Sequence, residues 1–264
     1  MSPETTPLDP EVLPTELLDV LSPLPSACVM LSGGIDSEVL LRGAVLAGGE
    51  ENVLALTADS PLLADHYRRL VRRIAKAVGV RHELVTWAPL EVAGLVENGP
   101  DRCYHCKREM YRVMEERGRE LGFGEVLDGT NADDFETDRP GLRAAAEAGV
   151  LHPLARAGLG ESDVRRLAQS LGALKPDRPS DSCLATRMEE GCRLTREDLG
   201  LVERMEAPLR PMVKKRFRVH LYGPVAVVHY RERDATAVNR MRKTMKDMAR
   251  ESGVRRIRFI LEDA

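Results

Sequence analysis

The chain has 264 residues, of which 43% are hydrophobic and 31% charged, and its formal net charge is −3; this composition is typical of a globular protein that can bury a full core. No apolar run approaches the ~20 residues that a membrane helix needs, so we expect no membrane segment. The N-terminus lacks the basic start and apolar centre of a signal peptide, and the five cysteines are an odd number. We therefore expect a cytoplasmic protein without a disulfide framework.

The charge is unevenly distributed along the chain. Residues 207–264 contain 15 Lys or Arg and six Asp or Glu, a net charge of +9, so residues 1–206 carry −12. A basic segment of this kind fits an anion site, an RNA surface, a contact with an acidic partner or a solvated helix face. All four interpretations stay open at this point.

The periodicity of the chain predicts the order of its elements. Residues 1–25 are rich in proline and have one short apolar patch, which predicts a mobile segment with one short helix. Strands are predicted at 27–30, 52–60, 81–87, 125–128, 216–221, 225–229 and 257–260, and helices at 38–46, 62–78, 108–121, 161–171, 199–209 and 233–251. Strand and helix alternate, which predicts an α/β fold: a doubly wound parallel sheet over residues 26–178, then a smaller α+β domain over 179–264.

A glycine motif follows the first predicted strand and leads into a helix. Its residues are Ser32, Gly33, Gly34, Ile35, Asp36 and Ser37. Adjacent glycines let the backbone approach a bulky anion, and the N–H groups at the helix start, with the two serine hydroxyls, then face that anion. Neither the Walker A spacing nor Gly-x-Gly-x-x-Gly is present. The motif resembles the PP-loop of the ATP pyrophosphatases, which cleave ATP between its α and β phosphates and adenylate a substrate.

Other polar residues are predicted to share this nucleotide site. In open parallel sheets, ligands bind beyond the carboxyl ends of the strands. Thr57 lies near such an end, and Asp128, Gly129 and Thr130 close another. We expect these four residues to bind ATP together with the PP-loop, and Asp36 to be a ligand of Mg²⁺ or of water.

Three cysteines stand in contexts that suggest chemistry. Cys103 and Cys106 precede a predicted helix and are followed by Lys107; two thiols at this spacing can chelate one metal or cluster, but a zinc site needs two more ligands. The alternatives are two small buried side chains and a surface lysine. Cys183 lies in a loop with two prolines, where the charge of Arg187 would favour a thiolate, although a lone loop cysteine can also be incidental. Cys192 follows Gly191 and has less context.

Five segments together resemble one family of PP-loop enzymes. They are Ser-Gly-Gly-Ile-Asp-Ser at 32–37, Arg-Cys-Tyr-His-Cys-Lys at 102–107, Asp-Gly-Thr-Asn-Ala-Asp-Asp at 128–134, Asp-Arg-Pro-Gly at 138–141 and Pro-Ser-Asp-Ser-Cys-Leu-Ala-Thr-Arg at 179–187. The chain is similar over residues 25–260 to the LarE family, the ATP-dependent sulfur transferases that help to make the nickel-pincer nucleotide of lactate racemase.

The resemblance implies a two-step reaction. ATP with Mg²⁺ adenylates a carboxylate of pyridinium-3,5-dicarboxylate mononucleotide, and sulfur then displaces AMP to give a thiocarboxylate. In sacrificial members a cysteine matching Cys183 gives up its sulfur and becomes dehydroalanine, whereas other members hold a [4Fe-4S] cluster on three cysteines. Because this chain also has Cys103 and Cys106, we predict a cluster on all three. The resemblance further assigns catalytic roles to Asp36, Lys107, Arg187 and Cys183.

The resemblance also implies substrate contacts and an assembly. It implies that Arg187, Glu206 and Arg218 bind the substrate. Arg218 is expected to bind the substrate phosphate, a role that suits a guanidinium group. Where the family often has Arg-His-His, this chain has His220-Leu221-Tyr222, so the details of substrate recognition differ. The family implies a homo-oligomer, a hexamer, and makes nucleic acid an unexpected partner. Two alternatives stay open: a PP-loop tRNA thiolase using the basic tail, and a non-catalytic regulator that binds a nucleotide or metal.

Overall fold

The computed structural model describes residues 12–136, 139–179, 181–213 and 217–262. These residues form two compact units. The first contains the chain up to Asp59, Tyr67–Trp87 and the stretch from Cys103 to residue 179. The second contains Ser60–His66, Ala88–Arg102 and the chain from Asp181 onward.

The strands and helices are distributed over both units. The strands are β1 (Ala27–Met30), β2 (Val53–Asp59), β3 (Arg81–Thr86), β4 (Glu125–Leu127), β5 (Arg218–Tyr222), β6 (Val225–Arg231) and β7 (Arg256–Glu262). The α-helices of the described residues are α1 (Thr15–Leu21), α2 (Ile35–Gly48), α3 (Asp65–Val78), α4 (Ala93–Val96), α5 (Arg102–Glu120), α6 (Pro140–Ala148), α7 (Pro153–Arg156), α8 (Glu161–Ser170), α9 (Arg196–Glu206) and α10 (Ala235–Glu251).

The sheet of the first unit is entirely parallel, in the order β3-β2-β1-β4. Alternate residues of β1 face opposite layers of the core, because side chains alternate along a strand. Val29 packs in a cluster with Leu17 of α1 and Leu41 of α2, whereas Cys28 packs in a second cluster with Tyr111 of α5. Helices therefore cover both faces, and the predicted doubly wound α/β fold is confirmed.

The strand order places the candidate site. The chain moves from β1 outward through β2 to β3 and then returns to the other side of β1 with β4. The loops that follow β1 and β4 consequently diverge at the carboxyl edge of the sheet, the usual place for a ligand in this kind of fold.

Helices α2, α3, α5, α9 and α10 begin two to six residues away from their predicted starts, and two of these differences have a local cause. Helix α3 starts at Asp65 and not at residue 62, because Ser60 starts a turn in which its carbonyl accepts a hydrogen bond from the N–H of Leu63 at 3.1 Å. Helix α5 starts at Arg102, six residues before the predicted start. Its first turns are polar and lack the apolar periodicity that predicts a helix. Cys103, Cys106 and Lys107 thus belong to the helix itself.

The segment before β1 is packed where the structure describes it. Leu13, Leu17 and Leu21 are buried in the same cluster as the residues of α2. The predicted mobile segment over residues 1–25 therefore does not include these positions, and residues 1–11 lie outside the described residues.

The second unit contains a mixed sheet in the order β5-β6-β7. Strands β5 and β6 are antiparallel, and β6 and β7 are parallel and joined by α10. Val238, Met245 and Ala249 form the buried stripe of α10, which leaves most of its basic residues toward solvent. The predicted smaller α+β fold is confirmed; Arg216, which the prediction included in the first strand, lies outside the described residues. None of the described helices is long and apolar enough to cross a bilayer.

Candidate active site

The segment 32–37, called the PP-loop here for its resemblance to that motif, links β1 to the first turn of α2. Gly33 has a φ of +86°, and a Cβ there would lie 2.6 Å from the ring of Tyr67, so both the backbone conformation and the space require glycine. Ser37 Oγ donates to the carbonyl of Gly34 at 2.9 Å and lies 3.2 Å from Ser32 Oγ. Gly34 is the N-cap of α2 and has no side chain to accept the first N–H groups of the helix. This geometry suits a bound anion.

Asp36 lies in the first turn of α2 and is half-buried. Its Oδ1 accepts a hydrogen bond from Asn131 Nδ2 at 3.0 Å. Burial raises the pKa of Asp36, and the charges of Asp134 and Glu161 raise it further, although the Asn131 bond acts in the opposite direction. A nearby cation would stabilise the ionised form of this carboxylate, and carboxylate oxygen is a ligand type that Mg²⁺ prefers.

Asp128 is the centre of a hydrogen-bond network at the end of β4. Its Oδ2 accepts from Tyr111 Oη at 2.6 Å and from Lys107 Nζ at 3.1 Å, while its Oδ1 accepts from Thr130 N at 3.0 Å and lies 2.6 Å from His152 Nδ1. Burial by itself would raise the pKa of Asp128, but the charge of Lys107 and the hydrogen bonds hold it well below its usual value. Asp128 thus orients Lys107 and the backbone of Thr130, and is itself 5% exposed.

Lys107 keeps access to solvent despite this network. Its side chain is 36% exposed, and its contacts with Asp128 and Tyr111 outweigh burial and raise its pKa. The ammonium group is therefore charged at neutral pH and positioned by a fixed anion. Such a group can bind a phosphate as a point charge.

Thr57 has a supporting position. Its side chain is buried, its Oγ1 donates to the carbonyl of Leu31 at 2.6 Å, and it lies 3.0 Å from His82 Nε2. Because Leu31 directly precedes the PP-loop, Thr57 fixes the backbone where the loop begins. Gly129 packs against the first turn of α2.

In the second unit, Arg187 and Arg218 converge on the segment before Cys183. Arg187 is fully buried; its guanidinium donates to Asp181 Oδ1 at 2.7 Å, to the Ser182 carbonyl at 2.8 Å and to the Cys183 carbonyl at 3.1 Å. Arg218 donates to the same Asp181 oxygen at 2.9 Å and to Ser182 Oγ at 2.6 Å. Arg187 therefore fixes the backbone at Cys183 and positions that residue.

Glu206 supports this cluster from α9. It is fully buried and accepts from Arg187 Nε at 3.2 Å, from Val219 N at 3.0 Å and from Arg210 Nη2 at 2.5 Å. Burial would raise the pKa of Asp181, but the charges of the surrounding arginines lower it. The Asp181 carboxylate is therefore stabilised in its ionised form by these guanidinium groups.

Several of these residues are missing from the predicted site. They are Tyr111, Asn131, His152, Asp181, Ser182 and Arg210. The spacing of Arg210 four residues after Glu206 is a helical signal that could have been used. Asp181 and Ser182 lie only six and five residues before Arg187, within one of the segments that carry the family resemblance. The contacts of Tyr111, Asn131 and His152 join more distant parts of the chain, and a single sequence does not show such pairs.

Comparisons with known proteins identify the family. No protein-family model matches the chain. An uncharacterized protein from Synechocystis is 35% identical over 196 residues, 74% of this chain and 73% of its own length. An uncharacterized protein from Methanocaldococcus jannaschii is 28% identical over 234 residues, 89% of this chain and 88% of its own. The pyridinium-3,5-bisthiocarboxylic acid mononucleotide synthase of Lactiplantibacillus plantarum is 31% identical over 216 residues, 82% of this chain and 78% of its own.

The chain belongs to the LarE family. The family resemblance predicted from the five sequence segments is thereby confirmed. Of those segments, residues 138 and 180 lie outside the described residues.

The cysteines of this LarE-family chain differ in exposure. Cys183 and Cys103 are exposed, and Cys106 is partly buried one helical turn after Cys103. Cys192 is exposed, with its Sγ 3.7 Å from Glu189 Oε2, and slight desolvation together with the charge of Glu189 raises its pKa. Cys28 is buried, which raises its pKa to about 11 and makes it a poor thiolate.

Within the described residues, no three His, Cys, Asp or Glu side chains converge as metal ligands would. Cys103 and Cys106 belong to the first unit and Cys183 to the second. The cluster on these three cysteines stays a prediction.

Proposed function

We propose that this chain is an ATP-dependent sulfur transferase that acts on pyridinium-3,5-dicarboxylate mononucleotide. ATP adenylates one carboxylate of this substrate, and sulfur then replaces AMP to give a thiocarboxylate. The observation that carries the proposal is the 31% identity to a synthase named for the bisthiocarboxylic product, over 82% of the chain. The PP-loop geometry supports the ATP-dependent step.

The first step has a donor set in the first unit. A substrate carboxylate oxygen attacks the α-phosphorus, and the bond from that phosphorus to the bridging oxygen breaks to release pyrophosphate. The N–H groups at the start of α2 and the Lys107 ammonium would stabilise the departing pyrophosphate. Asp36 would hold Mg²⁺, which neutralises phosphate charge when it is bound.

The second step needs a sulfur nucleophile. In the sacrificial route the Cys183 thiolate attacks the acyl carbon and expels AMP, leaving a thioester. Removal of the Cα proton by a base then breaks the Cβ–S bond, which yields the thiocarboxylate and dehydroalanine. Two observations support this role: Cys183 is exposed, and Arg187 donates a hydrogen bond to its carbonyl, which fixes the backbone that carries the thiol.

The cluster route uses the same cysteine as a ligand. The number and type of ligands suit a cluster: a Cys-x-x-Cys pair lies within the first turns of α5, with Cys103 exposed and Cys106 partly buried, and Cys183 is an exposed third thiol. Cys103, Cys106 and Cys183 would hold a [4Fe-4S] cluster, which when bound supplies an iron with an open position for sulfide. We propose this route because three cysteine ligands leave one iron without a protein ligand. Arg218, beside Asp181 and Ser182, would bind the substrate phosphate.

The test is incubation of anaerobically purified protein with ATP, Mg²⁺ and the dicarboxylate mononucleotide. We expect pyrophosphate release that depends on this substrate, and a product whose mass reflects exchange of oxygen for sulfur. Substrate-independent ATP binding without pyrophosphate release would favour a non-catalytic regulator. Pyrophosphate release that requires tRNA and not the mononucleotide would favour a tRNA thiolase.

A further inference from the structure

Arg178 lies on the PP-loop and has no role in the mechanism above. It follows α8 and belongs to the first unit. Its Nε donates to the carbonyl of Gly33 at 3.0 Å, and its Nη2 donates to the carbonyl of Gly34 at 2.9 Å. These two nitrogens form one edge of the guanidinium group, so a single planar fork binds two consecutive peptide carbonyls.

The guanidinium group is itself fixed on its other side. Nη1 donates to the carbonyl of Leu174 and lies 2.8 Å from Glu38 Oε2. The Glu38 side chain is fully buried on α2, and its Oε1 accepts from Arg42 at 3.0 Å and from Leu174 N at 2.8 Å. The Arg178 side chain is only 10% exposed. Because the guanidinium group is buried and bonded on both sides, it is held in one orientation. An arginine in a surface ion pair is not restricted in this way.

The contact determines where the N–H groups of the loop point. A trans peptide is planar, so its N–H and C=O point in opposite directions. When Arg178 binds the carbonyls of Gly33 and Gly34, the N–H groups of Gly34 and Ile35 point away from the guanidinium, that of Gly34 toward Ser32 Oγ at 3.2 Å. The Gly34 carbonyl also accepts from Ser37 Oγ and from Glu38 N, so Arg178 matters most for the peptide between Gly33 and Gly34, where two glycines permit rotation. We propose that Arg178 is a positioning residue that orients the PP-loop N–H groups toward the pyrophosphate portion of ATP.

This inference rests on the proposed ATP-dependent function. The variant Arg178→Lys keeps the charge beside Glu38 but cannot form the fork. The matched control is Arg166→Lys, since Arg166 lies on α8 with its side chain 77% exposed. Binding of inorganic pyrophosphate and of ATP is measured by calorimetry with Mg²⁺ present, and KM values for ATP and for the mononucleotide are measured by pyrophosphate release.

We expect Arg178→Lys to bind pyrophosphate roughly ten- to a hundredfold more weakly, the range for hydrogen bonds to a charged group. The KM for ATP should rise while the KM for the mononucleotide stays unchanged; a general loss of structure would not separate the two. Arg166→Lys should match the wild type. Equal pyrophosphate binding by the wild type and Arg178→Lys overturns the inference and leaves the proposed function intact, whereas a wild type that binds neither ATP nor pyrophosphate overturns both.

A measurement on the wild type covers the case in which the variant does not fold. The Nε proton of Arg178 should exchange with solvent far more slowly than that of Arg166, and the amide signals of Gly34 and Ile35 should shift when pyrophosphate is added. Exchange as fast as that of Arg166, or unshifted amides with pyrophosphate bound, overturns the inference.

Discussion

The backbone of Gly129 lies directly against the amide of Ser37. A Cβ added at Gly129 would come within 2.7 Å of Ser37 N and 2.9 Å of the carbonyl carbon of Asp36. Both neighbours are backbone atoms at the start of α2 and cannot rotate away as a flexible side chain could. The loop after β4 can therefore reach the PP-loop only because residue 129 lacks a side chain.

Gly129→Ala should abolish ATP-dependent pyrophosphate release, because the methyl group must push the loop after β4 away from the PP-loop. The control is Gly48→Ala on the same helix, where an added Cβ meets nothing within 4 Å. Steady-state pyrophosphate release measures both variants. Wild-type activity in Gly129→Ala would show that this contact is not needed for the nucleotide site.

Asp36→Asn should lose pyrophosphate release without losing stability. Burial and the charges of Asp134 and Glu161 raise the pKa of Asp36, so its ionised form opposes folding at neutral pH. The neutral amide removes that cost and can still accept from Asn131. The free energy of unfolding at pH 7 should be equal to or above that of the wild type, with the difference vanishing below about pH 4, where the carboxyl group is protonated in both states.

Urea unfolding across this pH range and pyrophosphate release check both halves of the Asp36 prediction. The exposed Asp19→Asn variant is the control and should change neither. A normal rate of pyrophosphate release in Asp36→Asn would remove Asp36 from the ATP site.

Lys107→Met should destabilise the protein in a pH-dependent way. The low pKa of Asp128 means that its carboxylate contributes stability above the usual carboxyl pKa of about 4, which is lost as the pH falls toward the folded-state value. Without the charge of Lys107, the Asp128 carboxylate contributes less to the free energy of unfolding. Because the Lys107 side chain is 36% exposed, we expect a loss of roughly 1–2 kcal/mol at pH 7, less than for a fully buried pair.

The loss from Lys107→Met should decline when urea unfolding is repeated at pH 3. The exposed Lys76→Met is the control, with no comparable pH dependence expected. A loss of equal size at both pH values would mean that Lys107 acts through packing and not through the charge of Asp128.

Local patterns predicted the fold and part of the site, and long-range contacts account for the rest. The glycine turn between β1 and α2 is predictable because all of its residues are adjacent in the sequence. The early start of α5 has no apolar periodicity that would predict it, because its first turns are polar. The buried state of Arg187 depends on Asp181 nearby and on Glu206, 19 residues later, and only the fold brings these charges together.

Arg218→Ala should weaken binding of the mononucleotide substrate by about 1.5–3 kcal/mol, the range for a hydrogen bond to a charged group. Asp181 would keep its contact with Arg187, so the arginine cluster should persist. Calorimetry with the dicarboxylate mononucleotide measures the change, and Arg258→Ala, exposed on β7, is the control. Similar losses of tRNA affinity in both variants, with no mononucleotide binding by the wild type, would instead favour the tRNA thiolase.

The sulfur source can be decided by comparing single cysteine variants of the anaerobically reconstituted protein. If a cluster is held by Cys103, Cys106 and Cys183, then Cys103→Ser should lower bound iron and abolish thiocarboxylate formation, because an iron–sulfur cluster needs each thiolate ligand. Cys192→Ser should leave both unchanged, which also tests whether Cys192 replaces a ligand. With sulfide supplied, the wild type should turn over repeatedly and keep its intact mass.

The sacrificial mechanism predicts different results in the same experiment. Cys183 would donate its own sulfur, so each chain would react once and lose the mass of H₂S as Cys183 becomes dehydroalanine. Cys103→Ser would then remain fully active, and protein without iron would be as active as reconstituted protein. Cys183→Ser abolishes sulfur transfer under both mechanisms, so Cys103→Ser is the variant that separates them: full activity without bound iron would contradict the cluster and establish Cys183 as the sulfur donor.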